Sequence, residues 1–511
     1  MAPQAALLAL HSQTVLPAAS ESNACLTGGK SFAHTSSATY PFCNHRLVLS
    51  AYVRRKGLQT ARASACVEER IAVHSEPLTK KDLVNHIASG CKPKHMWRIG
   101  TEHEKFGFEL GSLRPLTYEQ VVRFLEGVAR RYNWDKIIED GLIFGLRKDG
   151  RSITLEVGGQ VELSGAPLLN LHQSAAELES YFFEIKDVAQ EMGIGFLGCG
   201  SHPKSPLDAI PIVPKKRFSI VLDSFSKLGS TGTVLVVNTS CVQVNLDFSS
   251  EVDMIKKFRV GLALQPIATA LCANSPFTNG KPNGFVSCRS EMYKDLDIRR
   301  TGIPSFVFDD NFGFERYVEY ALSLPMIYAY RNEKCFNCHG MSFKDYIGGK
   351  LPNLFGDIAT TADWQNHLMQ IYTEVRLKTY LEMRGSDVGC RKQLMALPAL
   401  WVGLLYDETS LEGAVRMIED WTPQECQYLR DKVTTLGLKT PFRGFTLKDV
   451  AQSVVKLAKE GLQRRGWEET KFLDFFSEVA STGMAPAERL LNLYNGEWKG
   501  NVDNIFKELL C

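Results

Sequence analysis

Acidic residues are almost missing from the first 64 positions. Glu21 stands alone there against Lys30, Arg46, Arg54, Arg55, Lys56 and Arg62, among thirteen serines and threonines. A stretch that is acid-poor, basic and hydroxyl-rich has the composition of an organellar transit peptide, not of a folding domain. The Ser/Thr richness suits a chloroplast (plastid stroma) better than a mitochondrion, and the small residues around Ala63 to Cys66 suit processing. Residues 1–66 are therefore expected to be a disordered leader, and residues 75–511 the folded chain.

Other absences narrow the function. The longest apolar run, Met395 to Tyr406, is interrupted by Pro398 and falls short of the ~20 residues a membrane helix needs; it reads as a buried core segment. A net charge of +2 and the lack of a Lys/Arg stripe with interleaved aromatics give no support to a nucleic-acid partner. No HExxH, no second CxxC and no histidine cluster is present for zinc. Cys335, Cys338 and His339 spell CFNCH, formally a c-type haem pattern, but three residues without an export signal make a weak match. Ten cysteines scattered over the folded part are not a secreted disulfide scaffold. No GxxxxGK[ST] or GxSxG occurs. Gly193, Gly195 and Gly198 spell GxGxxG, but between a predicted helix and inside a predicted strand, the reverse of a dinucleotide-binding turn.

What is present centres on Arg98 to Leu110, RIGTEHEKFGFEL. As a strand, its period of two puts Glu102 and Glu104 on one face. Two like charges so placed require a cation, a base or open water between them. Further on, RSITLEV (Arg151 to Val157) and QVELSG (Gln160 to Gly165) flank Gly158 and Gly159. A two-residue hairpin loop would put Glu156 and Glu162 on opposite faces, whereas an odd-length loop would put them on one face. The run Val234 to Phe248 reads as a strand whose end alternates clearly: Val242, Val244 and Leu246 point one way and Gln243, Asn245 and Asp247 the other. In Glu374 to Asp387, an extended reading puts Tyr380, Glu382 and Arg384 on one face.

Helix starts are marked by Thr79 with Asp82, Thr117 with Gln120, Ser250 with Asp253, Thr422-Pro423 with Glu425, and Thr446 with Asp449. A helix is also expected over about Ala175 to Met192, then a strand from Ile194 to Cys199. The irregular loop from His202 to Lys216 is a candidate lid. The length allows two lobes or one large sheet with helical additions. Glutamates on strand faces beside amide oxygens suit a hard cation such as Mg²⁺, which is usually held by a few carboxylates plus substrate phosphates.

Taken together, GTEHEKFGFE, LEVGGQVELSGAP (Leu155 to Pro167), VQVNLDFSSE, FRVGLALQPIATAL, NSPFTNGKPNG, FVFDDNFGFE and EVRLKTYLEMRGSD resemble plant-type glutamate-cysteine ligase, from about Pro77 to the C-terminus. The resemblance implies an α+β fold, an antiparallel sheet forming a funnel-like active site with surrounding helices, akin to glutamine synthetase. It implies ATP-dependent joining of the γ-carboxylate of L-glutamate to the amine of L-cysteine through an acyl phosphate, by a monomer or homodimer. Glu102, Glu104, Glu156, Glu162, Gln243 and Glu382 would hold Mg²⁺, and Arg384 the ATP phosphates, with Glu102 and Arg384 the catalytic pair. Arg217, Arg289 and Arg300 would meet substrate carboxylates, and Tyr293 would line the cysteine pocket.

The chain departs from the family pattern at Asn238, where an arginine is usual, and at Tyr293, where tryptophan is usual. These departures leave open a weakened, regulatory homologue and a ligase for a different amine. Ala175, Met395 and Asn353 replace family cysteines, so neither regulatory disulfide associated with plant enzymes is expected.

Overall fold

The computed structural model describes residues 76–227 and 230–511, so the expected leader lies outside the described residues. Local chemistry sets the helix starts. Helix α1 (Lys80–Ala88) and helix α2 (Tyr118–Tyr132) each open with a reciprocal capping box, Thr79 with Asp82 and Thr117 with Gln120. α2 buries Val121, Phe124, Leu125 and Val128, one apolar stripe at helical spacing. Helix α3 (Leu171–Met192) begins earlier than predicted because Asn170 accepts the Gln173 N–H as its cap. Gly193 closes it at φ 66°, so the first glycine of the GxGxxG match is a helix stop and not a phosphate loop.

Helix α4 (Lys216–Ser226) is followed by helix α5 (Ser230–Asn238), where a strand was expected. The β-branched Val-Leu-Val-Val run favours a strand by propensity alone. Packing against α4 overrides it, and the strand begins only at Cys241. Gln160 ties down the helix end, its Nε2 donating to the carbonyls of Val237 (3.1 Å) and Thr239 (2.7 Å). That contact explains Gly158: a Cβ there would lie 2.1 Å from the Val237 oxygen.

The remaining long helices are core elements. Helix α6 (Glu251–Cys272) is capped by Ser250, and helix α7 (Arg391–Leu405) contains Pro398; both are almost wholly buried. The apolar run from Met395 is therefore a core helix, and among the described residues no helix is long and apolar enough to cross a membrane. Helix α8 (Leu447–Arg465), packed on α7, ends at Gly466 in the left-handed region.

These helices surround one sheet of nine strands, the single-sheet layout. In chain order they are β1 (Ile99–Glu109), β2 (Asp135–Glu139), β3 (Leu142–Lys148), β4 (Arg151–Leu155), β5 (Val161–Ser164), β6 (Ile194–Leu197), β7 (Cys241–Leu246), β8 (Val375–Leu377) and β9 (Leu381–Asp387). The spatial order is β8-β9-β7-β1-β5-β4-β3-β2, with β6 also on β1, and every pairing is antiparallel. α3, α6 and α7 lie against the central strands. Val242, Val244, Leu246, Leu381 and Met383 are buried on that side.

Candidate functional site

The other side of the central strands is polar, and the register decides what meets there. Glu104 stands directly opposite Glu162, and Glu102 opposite Gln243. Leu155 pairs with Val161, which leaves the five residues 156–160 as the loop. The odd-length alternative therefore holds, and Glu156 falls on the side of Glu162. On β7 and β9, Asn245 faces Glu382. Between Met383 and Ser386 the register slips, so that Arg384 and Gly385 together oppose Gln243. A bulge of this kind re-aims a side chain, here the arginine.

Four carboxylates thus crowd one region with few donors. Glu102 accepts from Asn245 Nδ2 (2.6 Å) and Glu162 from Thr154 Oγ1 (3.0 Å). Glu104 accepts from the Cys241 N–H (2.9 Å) and Sγ (3.1 Å). Burial and then the charge of Glu156 push Glu104 up to about 7. Burial followed by Glu156, Glu102 and Glu104 pushes Glu162 well up, and burial also raises Glu156. Asn245 Oδ1 is buried with no donor.

The adjoining edge has the opposite character. Glu382, fully buried, accepts from Arg376 Nε (2.7 Å) and Nη2 (2.8 Å) and from Arg384 Nη1 (2.6 Å), with Lys378 Nζ at 3.2 Å. Burial alone would raise this carboxyl, yet Arg376, Lys378 and Arg384 hold it well below its ordinary range. Arg376 Nη1 also reaches the carbonyls of Met369 and Ile371. Two oxygens offer about four lone-pair positions, and three N–H donors with the Lys378 ammonium close by occupy the carboxylate. Glu382, for which the resemblance implied a metal-ligand role, anchors cations in this arrangement. Gln243 does the same, its Oε1 accepting from Arg384 Nη1 at 2.5 Å.

The other candidates divide. Arg217, on α4, faces Glu156 and is ringed by Tyr328, Tyr330 and Tyr372. Arg289, buried on the short helix Cys288–Met292, places Nη2 3.2 Å from the Arg384 carbonyl and 3.4 Å from Tyr293 Oη, and it faces Glu104. Arg289, Tyr293, Tyr372, Glu374 and Arg384 line one narrow cleft. Arg300 does not join them, because its guanidinium is taken up by Asp297 (3.1 Å) and the carbonyls of Gln370 (3.0 Å) and Pro325 (2.6 Å). Its place on the substrate list is corrected accordingly: a buried arginine spent on backbone oxygens fixes loops together.

Sequence reasoning missed Arg376, Lys378 and Glu374. The run Glu374 to Asp387 is a hairpin, β8 and β9 joined at 378–380, and not one extended piece. Read as a hairpin, Arg376 falls opposite Glu382. Tyr380 lies in the turn, under Lys378 Nζ at 4.6 Å from its ring centre. All ten cysteines among the described residues are free thiols.

Among the described residues no three His, Cys, Asp or Glu side chains converge tightly enough to hold a metal ion by themselves. The donor set nonetheless fits Mg²⁺: Glu102, Glu104, Glu156 and Glu162 supply hard oxygens, burial raises the proton affinity of Glu104, Glu156 and Glu162, and Asn245 Oδ1 is an orphan acceptor beside Glu102. Substrate oxygens commonly complete such a shell.

Comparison with known proteins gives the family. A relative from Nicotiana tabacum, glutamate–cysteine ligase, chloroplastic, is 57% identical over 457 residues, covering 89% of this chain and 88% of its own. The protein of that name from Arabidopsis thaliana is 55% identical over 456 residues, 89% of this chain and 87% of its own. Among solved structures, a Francisella tularensis glutamate–cysteine ligase in complex with AMP shares the fold at 11% identity, with a TM-score of 0.50 over 81% of this chain and 88% of that one. Residues 98–508 match glutamate-cysteine ligase family 2, and the chain belongs to that family.

Proposed function

We propose that this protein joins the γ-carboxylate of L-glutamate to the amine of L-cysteine with consumption of Mg-ATP, the first step of glutathione synthesis. The observation that carries the reading is a single sheet face divided into a carboxylate cluster with few hydrogen-bond donors and an arginine–lysine edge suited to a polyanion. The polar side of the sheet would form the wall of a glutamine synthetase-like funnel.

A carboxylate attacking a triphosphate sets anion against anion, so catalysis rests on position and charge neutralisation. Glu102, Glu104, Glu156 and Glu162 would hold Mg²⁺, which when bound supplies charge to the transferring phosphoryl oxygens. Arg384, aimed by the bulge and fixed by Gln243 and Glu382, meets the phosphates. Arg217 offers a planar fork to the α-carboxylate of glutamate. The cleft beside Arg289 and Tyr293 takes cysteine. The relatives' names place them in the chloroplast, and the leader composition supports the same destination here.

ADP release with Mg-ATP tests the reading: it should require glutamate and cysteine together, and release independent of either one would overturn it. A second reading, ligation of a different amine, rests on Tyr293 in place of tryptophan. A panel of amines in the same assay separates the two, cysteine giving the highest kcat/KM if the first reading holds.

A further inference from the structure

Glu374 is a carboxylate that neither the carboxylate cluster nor the arginine edge uses. It lies one step beyond the Val375–Met383 pair, so it shares the side of Arg376 and faces the Arg384 backbone, whose N–H donates to the Glu374 carbonyl at 3.0 Å. Its own N–H donates to the Gly302 carbonyl, also at 3.0 Å. The side chain is largely buried, and Oε1 accepts from Arg430 Nε at 2.9 Å. Among the described residues no hydrogen bond reaches Oε2. That oxygen lies against Gly385, where a Cβ would come within 2.1 Å of it. Gly385 has an ordinary backbone conformation, so what its missing side chain provides is room for this oxygen. Fixed by two backbone bonds and one arginine, with one oxygen open, Glu374 lines the same cleft as Tyr293, Tyr372 and Arg289.

We infer that Glu374 is a catalytic residue of the second half-reaction, holding the ammonium group of the incoming amino acid and taking its proton. This rests on the ligase reading and on the cleft being the amine site. At neutral pH an α-amino group is largely protonated and has no lone pair with which to attack. The ammonium gives one proton to Glu374 Oε2. The nitrogen lone pair then forms the C–N bond at the γ-carbonyl carbon, and the C–O bond to phosphate breaks with its electron pair leaving on the phosphate. The second N–H proton departs with that phosphate. The other charged groups of the cleft, Arg289 and Arg384, are cations that repel an ammonium, so the carboxylate is what makes the cleft accept one.

The full-length protein and its Glu374→Gln variant are given glutamate and Mg-ATP with either cysteine or hydroxylamine, a nucleophile that is neutral at pH 7 and traps the acyl phosphate as a hydroxamate. Glutamine keeps the Arg430 contact, and hydroxamate formation reports folding and phosphoryl transfer in the same sample. The ratio of cysteine product to hydroxamate should fall about 100-fold in the variant, the usual scale for removing a general base. An unchanged ratio, whether both products fall or neither does, overturns the assignment. A wild-type protein that forms no hydroxamate overturns the ligase reading itself, and this one with it.

Discussion

The two halves of the polar sheet face are built alike and charged oppositely. Around β1 and β5, Glu102, Glu104, Glu156 and Glu162 share few donors, and Glu104, Glu156 and Glu162 are driven toward protonation by burial and by neighbouring carboxylates. Around β8 and β9, one carboxylate, Glu382, gathers Arg376, Lys378 and Arg384 and is driven the other way. The difference teaches that neither half is complete as a protein structure. One is rich in carboxylates and the other in cations, so in the proposed reaction a magnesium-bound polyphosphate would meet its metal on the first and its phosphates on the second.

The comparison breaks most severely if its cationic half is taken apart. Arg376→Met removes two of the three hydrogen bonds to a buried carboxylate and leaves it to Arg384 and Lys378, and the loss should be about 3 kcal/mol of unfolding free energy, read by denaturant titration. A loss under ~1 kcal/mol would mean that the edge does not depend on the Glu382 cluster. The acidic half is tested by Glu102→Gln, which should lower ligation about 100-fold while leaving the unfolding midpoint in place; normal turnover would remove Glu102 from the metal set.

A pH series without divalent cations sharpens the contrast. Glu104 binds its proton more tightly folded, with a pKa raised to about 7, than unfolded. Stability should therefore fall as pH rises from about 4.5 through 7, by about 3 kcal/mol. Glu104→Gln or added Mg²⁺ should flatten this slope. Glu382 is shifted down, so its contribution is present above the ordinary carboxylate range and is lost as pH falls through the lower folded value, a slope of opposite sign on the acid side. The smallest effect is expected from Asn238→Arg. Asn238 ends α5 and is buried, off the strand face, so restoring the family arginine should raise turnover less than threefold, under ~0.7 kcal/mol. A large gain would instead revive the weakened-homologue reading.

Much of the acidic half was legible because it is local. A strand period places Glu102 with Glu104, whereas the face shared by Glu156 and Glu162 depended on a loop length that only the Leu155–Val161 pairing decides. Capping boxes at Thr79, Thr117, Thr422 and Thr446 are equally local and appear where they were read. The cationic half was not, because it depends on a hairpin turn and a bulge inside a segment that also reads as one straight strand. The α5 helix was hidden by β-branched residues whose conformation is set by packing. Lys105 was hidden too: it lies fully buried on the other side of β1, Nζ 2.6 Å from His103 Nδ1 and near the rings of Phe182 and Tyr181, and burial lowers its pKa to about 8.

β1 takes its partners from far along the chain. Lys105 pairs with Val161, Phe106 with Leu197 and Glu102 with Gln243, while β7 in turn carries β9 at Leu381. The site is complete only when residues from Glu102 to Arg384 are all present, so no short fragment of the chain contains it. Such distant pairings are slow to form. In a chain of this topology the site closes only when the strand Ile99–Glu109 has met β7 and, through it, the hairpin near residue 380.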